Sequence, residues 1–180
     1  VRSDSSAELH GGNLGVATNN AGGSNTSTPS IGVTRGHLKI FGGALGDELH
    51  NNLGVVEFYG ADFQVEGQPV AGLNQPGDMV EVSLAGDGLF SGVLSDGTPF
   101  AYQGPDRGRH VLGDGTYRLI FMPPAPPVDA VVTVNSGQGP LGARSGQTVI
   151  LEDGGFLDDN FVAADGSTVV IRGGEVYQNL

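Results

Sequence analysis

One eight-residue pattern recurs five times and limits the folds open to this chain. It reads apolar, any, apolar, any, Gly, Gly, any, apolar. It stands as AELHGGNL at 7–14 and as LKIFGGAL at 38–45. It returns with changes as VEFYGADF at 56–63, VILEDGGF at 149–156 and VVIRGGEV at 169–176. In every copy the second and third apolar positions are five residues apart: Leu9 and Leu14, Ile40 and Leu45, Phe58 and Phe63, Leu151 and Phe156, Ile171 and Val176. The triplet has period 2, which predicts a strand with two residues inward and the middle one outward. Glu8, Lys39 and Glu57 fill that middle place in the first three copies. The Gly-Gly pair predicts a sharp bend that side chains would obstruct, after which the third apolar residue re-enters the core.

Such a unit is too short to bury its own apolar face, so copies must cover one another. The kernel recurs at 18 residues (Gly42 to Gly60) and 20 residues (Asp153 to Gly173). This predicts an all-β chain built as a parallel β-helix, with Thr148 over Thr168, Leu151 over Ile171 and Phe156 over Val176. A β-sandwich with Gly-rich hairpins is the alternative, but a sandwich does not require the fixed offset of five.

Two stretches break the rhythm. ATNNAGGSNTSTPS (17–30) reads as a polar loop thrown off one turn, and Asn25 begins a formal N-glycosylation sequon. Residues 64–127 read as an irregular β-rich segment between repeats at 1–63 and 128–180, in one continuous domain. Its strands are MVEVSL, LFSGVL, TPFAY and TYRLIF, with Asp96-Gly97 and Asp114-Gly115 as turn signals. They either add turns to the solenoid or form a small antiparallel unit docked on it.

The kernels, DGSTVVIRGGEV, and the block VEGQPVAGLNQPGD…SGVLSDGTPFAY together resemble large secreted bacterial repeat proteins. These are the Gly-Gly β-helix proteins abundant in planctomycete-type bacteria. The resemblance covers nearly the whole chain. It implies a right-handed parallel β-helix outside the cell or on its surface, in a tandem-repeat protein without assigned activity. It supplies no catalytic residues. Ala61, Glu152 and Asp153 depart from the common kernel.

Charge narrows the partners. A net charge of −12 with a single lysine, Lys39, argues against nucleic acid or an anionic membrane. No apolar run approaches membrane-spanning length. Cysteine is absent, so no disulfide is expected and the redox compartment is not indicated. The chain opens at Val1 without Met, which suits a processed chain or a period cut from a longer one.

The two ends match. From Gly173 through Leu180 and on from Val1 to Gly11 the spacing is again 18 residues. Val1, Ala7, Leu9, Ile171, Val176 and Leu180 are therefore the expected assembly ends. The functional expectation is an extracellular or cell-surface structural protein. It would stack head-to-tail on copies of itself into a fibre, or form one period of a long repeat protein.

A carbohydrate-binding or adhesion module is the alternative, with Phe41 and Tyr59 as residues for glycans to meet. A polysaccharide-active enzyme is a third reading. The nearest cluster for it is Asp106, Arg107, Arg109 and His110, which an exposed turn explains as well. No cofactor is expected. Calcium could be held by Asp47, Glu48, Asp158 and Asp159, which follow the kernel at matching places, although solvated acidic turns account for them too. His10, His37, His50 and His110 show no metal-like spacing.

Overall fold

The computed structural model describes residues 5–14, 30–46, 48–84, 89–102, 110–126, 130–140, 142–158 and 161–177. Every regular element among them is a strand. The first are β1 (Ser6–Leu14), β2 (Ser30–Thr34), β3 (His37–Leu45), β4 (Glu48–Asn52) and β5 (Val55–Val65). The middle of the chain adds β6 (Gln68–Pro69), β7 (Met79–Val82), β8 (Phe90–Leu94), β9 (Pro99–Tyr102), β10 (His110–Leu112) and β11 (Thr116–Phe121). Next come β12 (Val131–Val134), β13 (Gly137–Gln138), β14 (Gly142–Ala143) and β15 (Thr148–Leu151). The last are β16 (Gly155–Leu157), β17 (Val162–Ala163), β18 (Thr168–Ile171) and β19 (Glu175–Val176).

The expected single right-handed parallel β-helix is not what these strands build. They divide among five separate sheets, and the largest mixes parallel and antiparallel pairing. That eight-stranded sheet runs β1-β3-β5-β11-β7, with β6 and β8 attached beside β5 and β9 beside β8. β1, β3, β5 and β11 are parallel, whereas β6, β7, β8 and β9 join antiparallel. The physical cause is the middle segment. The Asp96-Gly97 turn folds β8 and β9 into a hairpin that pairs back onto the far half of β5. Asp114-Gly115 makes a corner instead of a hairpin, leading from β10 beside β4 to β11 beside β5.

The apolar interior is correspondingly split. The larger core gathers Leu38, Ile40, Val56, Phe58, Phe90, Tyr117 and Leu119 with their neighbours, and the smaller gathers Val134, Ala143, Val149, Leu151 and Leu157. Around the smaller core lie the parallel sheets β12-β15-β18, β13-β16-β19 and β14-β17. A further parallel sheet, β10-β4-β2, flanks the larger core.

Local register follows the kernel except at one bend. Leu9, Ile40, Phe58 and Leu119 align across β1, β3, β5 and β11. Thr148 pairs with Thr168 and Leu151 with Ile171. Phe156, however, pairs with Glu175, and Leu157 takes the place opposite Val176. The turn at Asp153-Gly154 absorbs one more residue than its counterpart, so Leu157 is buried and Phe156 only half-buried. The Gly-Gly pairs of the first two kernels also lie inside continuous strands, as irregularities in the β1–β3 ladder and not as breaks between strands.

Candidate functional site

Inward columns of apolar side chains run through the parallel ladders, and where they end they define the candidate site. In the sheet β12-β15-β18, residues of β15 alternate between half-buried and buried, with Val149 and Leu151 inward. The column Val134, Leu151, Ile171 is buried at its first two members, but Ile171 is 61% exposed against 0% for Leu151. Beside it Val176 and Tyr177 are also largely exposed, although Val176 continues a column whose previous member, Leu157, is buried. β18 and β19 are the outermost strands of their sheets among the described residues. β12 differs, because its exposed Val131 points outward while its inward Val134 is covered.

β1 closes the other series. Ala7 and Leu9 stand over the fully packed pairs Leu38/Val56 and Ile40/Phe58, yet are themselves only half-buried. β1 pairs with β3 alone among the described residues. Of the expected assembly ends, Ala7, Leu9, Ile171 and Val176 thus lie on strands that are outermost among the described residues. Val1 and Leu180 lie outside the described residues.

The outward face of the large sheet carries two side-chain rows. One alternates in charge across five strands, as Glu8, Lys39, Glu57, Arg118 and Glu81. Lys39 Nζ donates to Glu8 Oε1 at 3.1 Å, Arg118 Nη1 is 3.6 Å from Glu57 Oε1, and Arg118 Nε reaches Glu81 Oε2 at 3.5 Å. Glu57 is buried, with His37 Nε2 3.2 Å away and the Tyr59 hydroxyl donating to its Oε2 at 2.7 Å. Cross-strand pairs of opposite charge favour one register over its neighbours. Hydrogen bonds from His10 and Lys39 also hold the Glu8 carboxyl below its usual range.

The second row stacks His10, Phe41 and Tyr59. Ring centroids are 4.5 Å apart for His10 and Phe41 and 4.1 Å for Phe41 and Tyr59. Both faces of Phe41 are therefore occupied by its neighbours, which ties β1, β3 and β5 together in one register.

Asp96 links the two halves. Its carboxylate accepts from the Gly43 and Thr98 backbone N–H groups, both at 2.8 Å, and from Arg144 Nη2 at 3.2 Å. Arg144 also donates to Thr98 Oγ1 at 3.1 Å. A charged side chain committed to three such contacts acts as a clasp between the β8–β9 hairpin, the β3 bend and the β14 segment. A cleft of about 430 Å³ opens between β8–β9 and β17; its lining among the described residues includes Asp62, Gln64, Ser91 and Asp165, but no imidazole, amine or guanidinium.

The two calcium candidates among the described residues, Glu48 and Asp158, have separate partners. Glu48 lies on β4 and contacts His50 Nε2 at 2.8 Å, whereas Asp158 follows β16 and accepts from Gln138 Nε2 at 2.8 Å. Asp47 and Asp159 lie outside the described residues. Among the described residues no three His, Cys, Asp or Glu side chains converge on a metal-sized site. Asn25, Asp106, Arg107 and Arg109 also lie outside the described residues, as does the side chain of His110. No helix among the described residues is long and apolar enough to cross a membrane.

Comparison with family models, curated proteins and solved structures finds no match for the chain. The likeness to Gly-Gly repeat proteins therefore rests on the sequence motifs alone.

Tyrosine ionisation reports on this packing. Burial, together with the hydrogen bond to Glu57, pushes the Tyr59 hydroxyl up to about 12. Burial also drives Tyr117 well above its ordinary range, against an opposing hydrogen bond with Asn51. An unfolded tyrosine ionises near pH 10. Both raised groups contribute stability that is complete below that pH and is lost as pH rises through the folded values. Ultraviolet phenolate titration should show the folded chain retaining protonated tyrosine well above pH ~10, with the urea midpoint falling from there upward. Titration of all four tyrosines together near pH ~10 would contradict the buried hydroxyls.

Proposed function

We propose that this chain is a structural protein that assembles by continuing its sheets across open edges, into a fibre or along a series of like repeats. The single observation behind this reading is Ile171, an inward residue of its column left 61% exposed where Leu151 in the preceding layer is fully buried. Covering one such side chain is worth about 1.5–3 kcal/mol, and each added strand also satisfies a row of backbone groups. An extracellular or cell-surface setting belongs to the same proposal and is supported by the sequence resemblance.

Sedimentation tests it. The unmodified chain should form species that grow with concentration. Ile171→Lys should stay monomeric with an almost unchanged thermal midpoint, because position 171 contributes little to the core of one copy. An unmodified chain that remains monomeric throughout the concentration series would sink this reading.

A further inference from the structure

Resting on the assembly reading, we infer that the occupant of the β18 edge is the β1 edge of a second copy of this chain, in one defined parallel register. Thr168 lies opposite Ser6, Val169 opposite Ala7, Val170 opposite Glu8 and Ile171 opposite Leu9.

Three observations carry it. First, every ladder that involves β15, β18, β1 or β3 is parallel, so a parallel strand continues the pattern on both sides of the new contact. Second, the two edges leave matching inward columns incomplete. Val169 and Ile171 need apolar neighbours two residues apart, and Ala7 and Leu9 supply that spacing while half-buried themselves. Those residues align with the kernel members that already pair inside the molecule: Leu9 with Ile40, and Ile171 with Leu151.

Third, the charges complement. Arg172, 3.7 Å from Glu152 Oε1 with its side chain still 62% exposed, follows Ile171, and Glu8, 48% exposed, precedes Leu9. In this register the guanidinium faces His10 and lies diagonal to the Glu8 carboxylate, within the reach of a cross-strand pair. It would alternate with the Lys39–Glu8 contact already present.

A contact that joins one edge to a different edge is heterologous, so it does not close on itself as a twofold dimer does. It produces an open chain with two distinct ends.

The absence of cysteine permits a direct test by disulfide trapping. Ser6 and Thr168 are both exposed, and directly opposed strand residues fall within the Cα separation a disulfide accepts. The double variant Ser6→Cys/Thr168→Cys should oxidise into a ladder of covalent oligomers on a non-reducing gel. It should do so at least about tenfold faster than Ser6→Cys/Val170→Cys, which is displaced by one same-face step. Arg172→Glu should slow the trapping, and Arg172→Glu combined with Glu8→Arg should restore it.

Equal trapping by both cysteine pairs, or none while sedimentation still shows growing species, would overturn the register and leave the assembly reading standing. Loss of the growing species in the unmodified chain would overturn both.

Discussion

Gly60→Ala should cost the fold about 3 kcal/mol or more, a large part of the stability of a domain this size. Gly60 sits mid-strand in β5, antiparallel to Leu94, and its carbonyl accepts from Met122 N–H at 2.7 Å. A Cβ built there would fall against the Val93 carbonyl oxygen, with the Val93 carbonyl carbon and Leu94 Cα both at 2.9 Å. These are backbone atoms of the paired strand, so no rotamer change relieves the contact. The β8–β9 hairpin must lift away and take Phe90 and Phe100 out of the larger core.

Gly42 is the instructive contrast, because its added Cβ would meet the Asp96 side chain, which can rotate at the expense of its clasp. Gly11 is the control: nothing lies within 4 Å of its Cβ position, so Gly11→Ala should change stability by less than about 0.5 kcal/mol. Urea denaturation followed by circular dichroism compares the variants, and a Gly60→Ala chain as stable as Gly11→Ala would remove the close-approach account.

That contrast marks how far the sequence could be read. The triplets Leu38-Lys39-Ile40 and Thr148-Val149-Ile150-Leu151 announce half-buried strands by period alone, and the parallel pairing of Leu9 with Ile40 and of Leu151 with Ile171 follows from matching kernels. The Gly-Gly pairs looked like local bends. Gly43 does adopt a φ of 97°, but Gly42 and Gly60 are required as much by the β8–β9 hairpin packed over them. That hairpin comes from a segment without the kernel; the Asp96-Gly97 turn signal points to the hairpin itself, but no local pattern says that it packs over Gly42 and Gly60.

The same segment converts the expected single solenoid into five sheets. Its antiparallel pairings depend on which strand edge lies nearest in space, information that periodicity does not carry. Among the edge residues, Ile171 was legible as an inward position. Its exposure was not, since that depends on how many layers lie beyond it. The charge row was half legible: Glu8, Lys39 and Glu57 share one kernel place, while Arg118 and Glu81 join it only through the middle strands.

Asn51 carried no signal in the sequence, and its replacement should have an effect comparable with that at Gly60. In β4 the burial alternates so that Leu49 and Asn51 both point inward, and Asn51 is completely buried. Its side chain is saturated with work: Oδ1 accepts from Gly54 N–H at 3.1 Å and Nδ2 donates to the Thr116 carbonyl at 3.1 Å. It also bonds the Tyr117 hydroxyl, and its backbone carbonyl accepts from Gly115 N–H at 2.9 Å.

One amide therefore fixes the corner that starts β5 and the corner that starts β11, the two strands whose parallel pairing centres the large sheet. Asn51→Leu keeps the volume but strands these buried partners, each costing about 1–3 kcal/mol when left unsatisfied, so a total loss near 3 kcal/mol or more is expected. Asn51→Asp separates hydrogen bonding from size. A buried carboxyl is driven towards its neutral form, and only that form can donate to Thr116 while accepting from Gly54. Its stability deficit should shrink as pH falls from neutral through the raised carboxyl value, because the folded state then holds the proton more tightly than the unfolded one. A deficit for Asn51→Asp that stays constant with pH, or an Asn51→Leu chain as stable as the unmodified one, would mean that the two corners hold themselves without the amide.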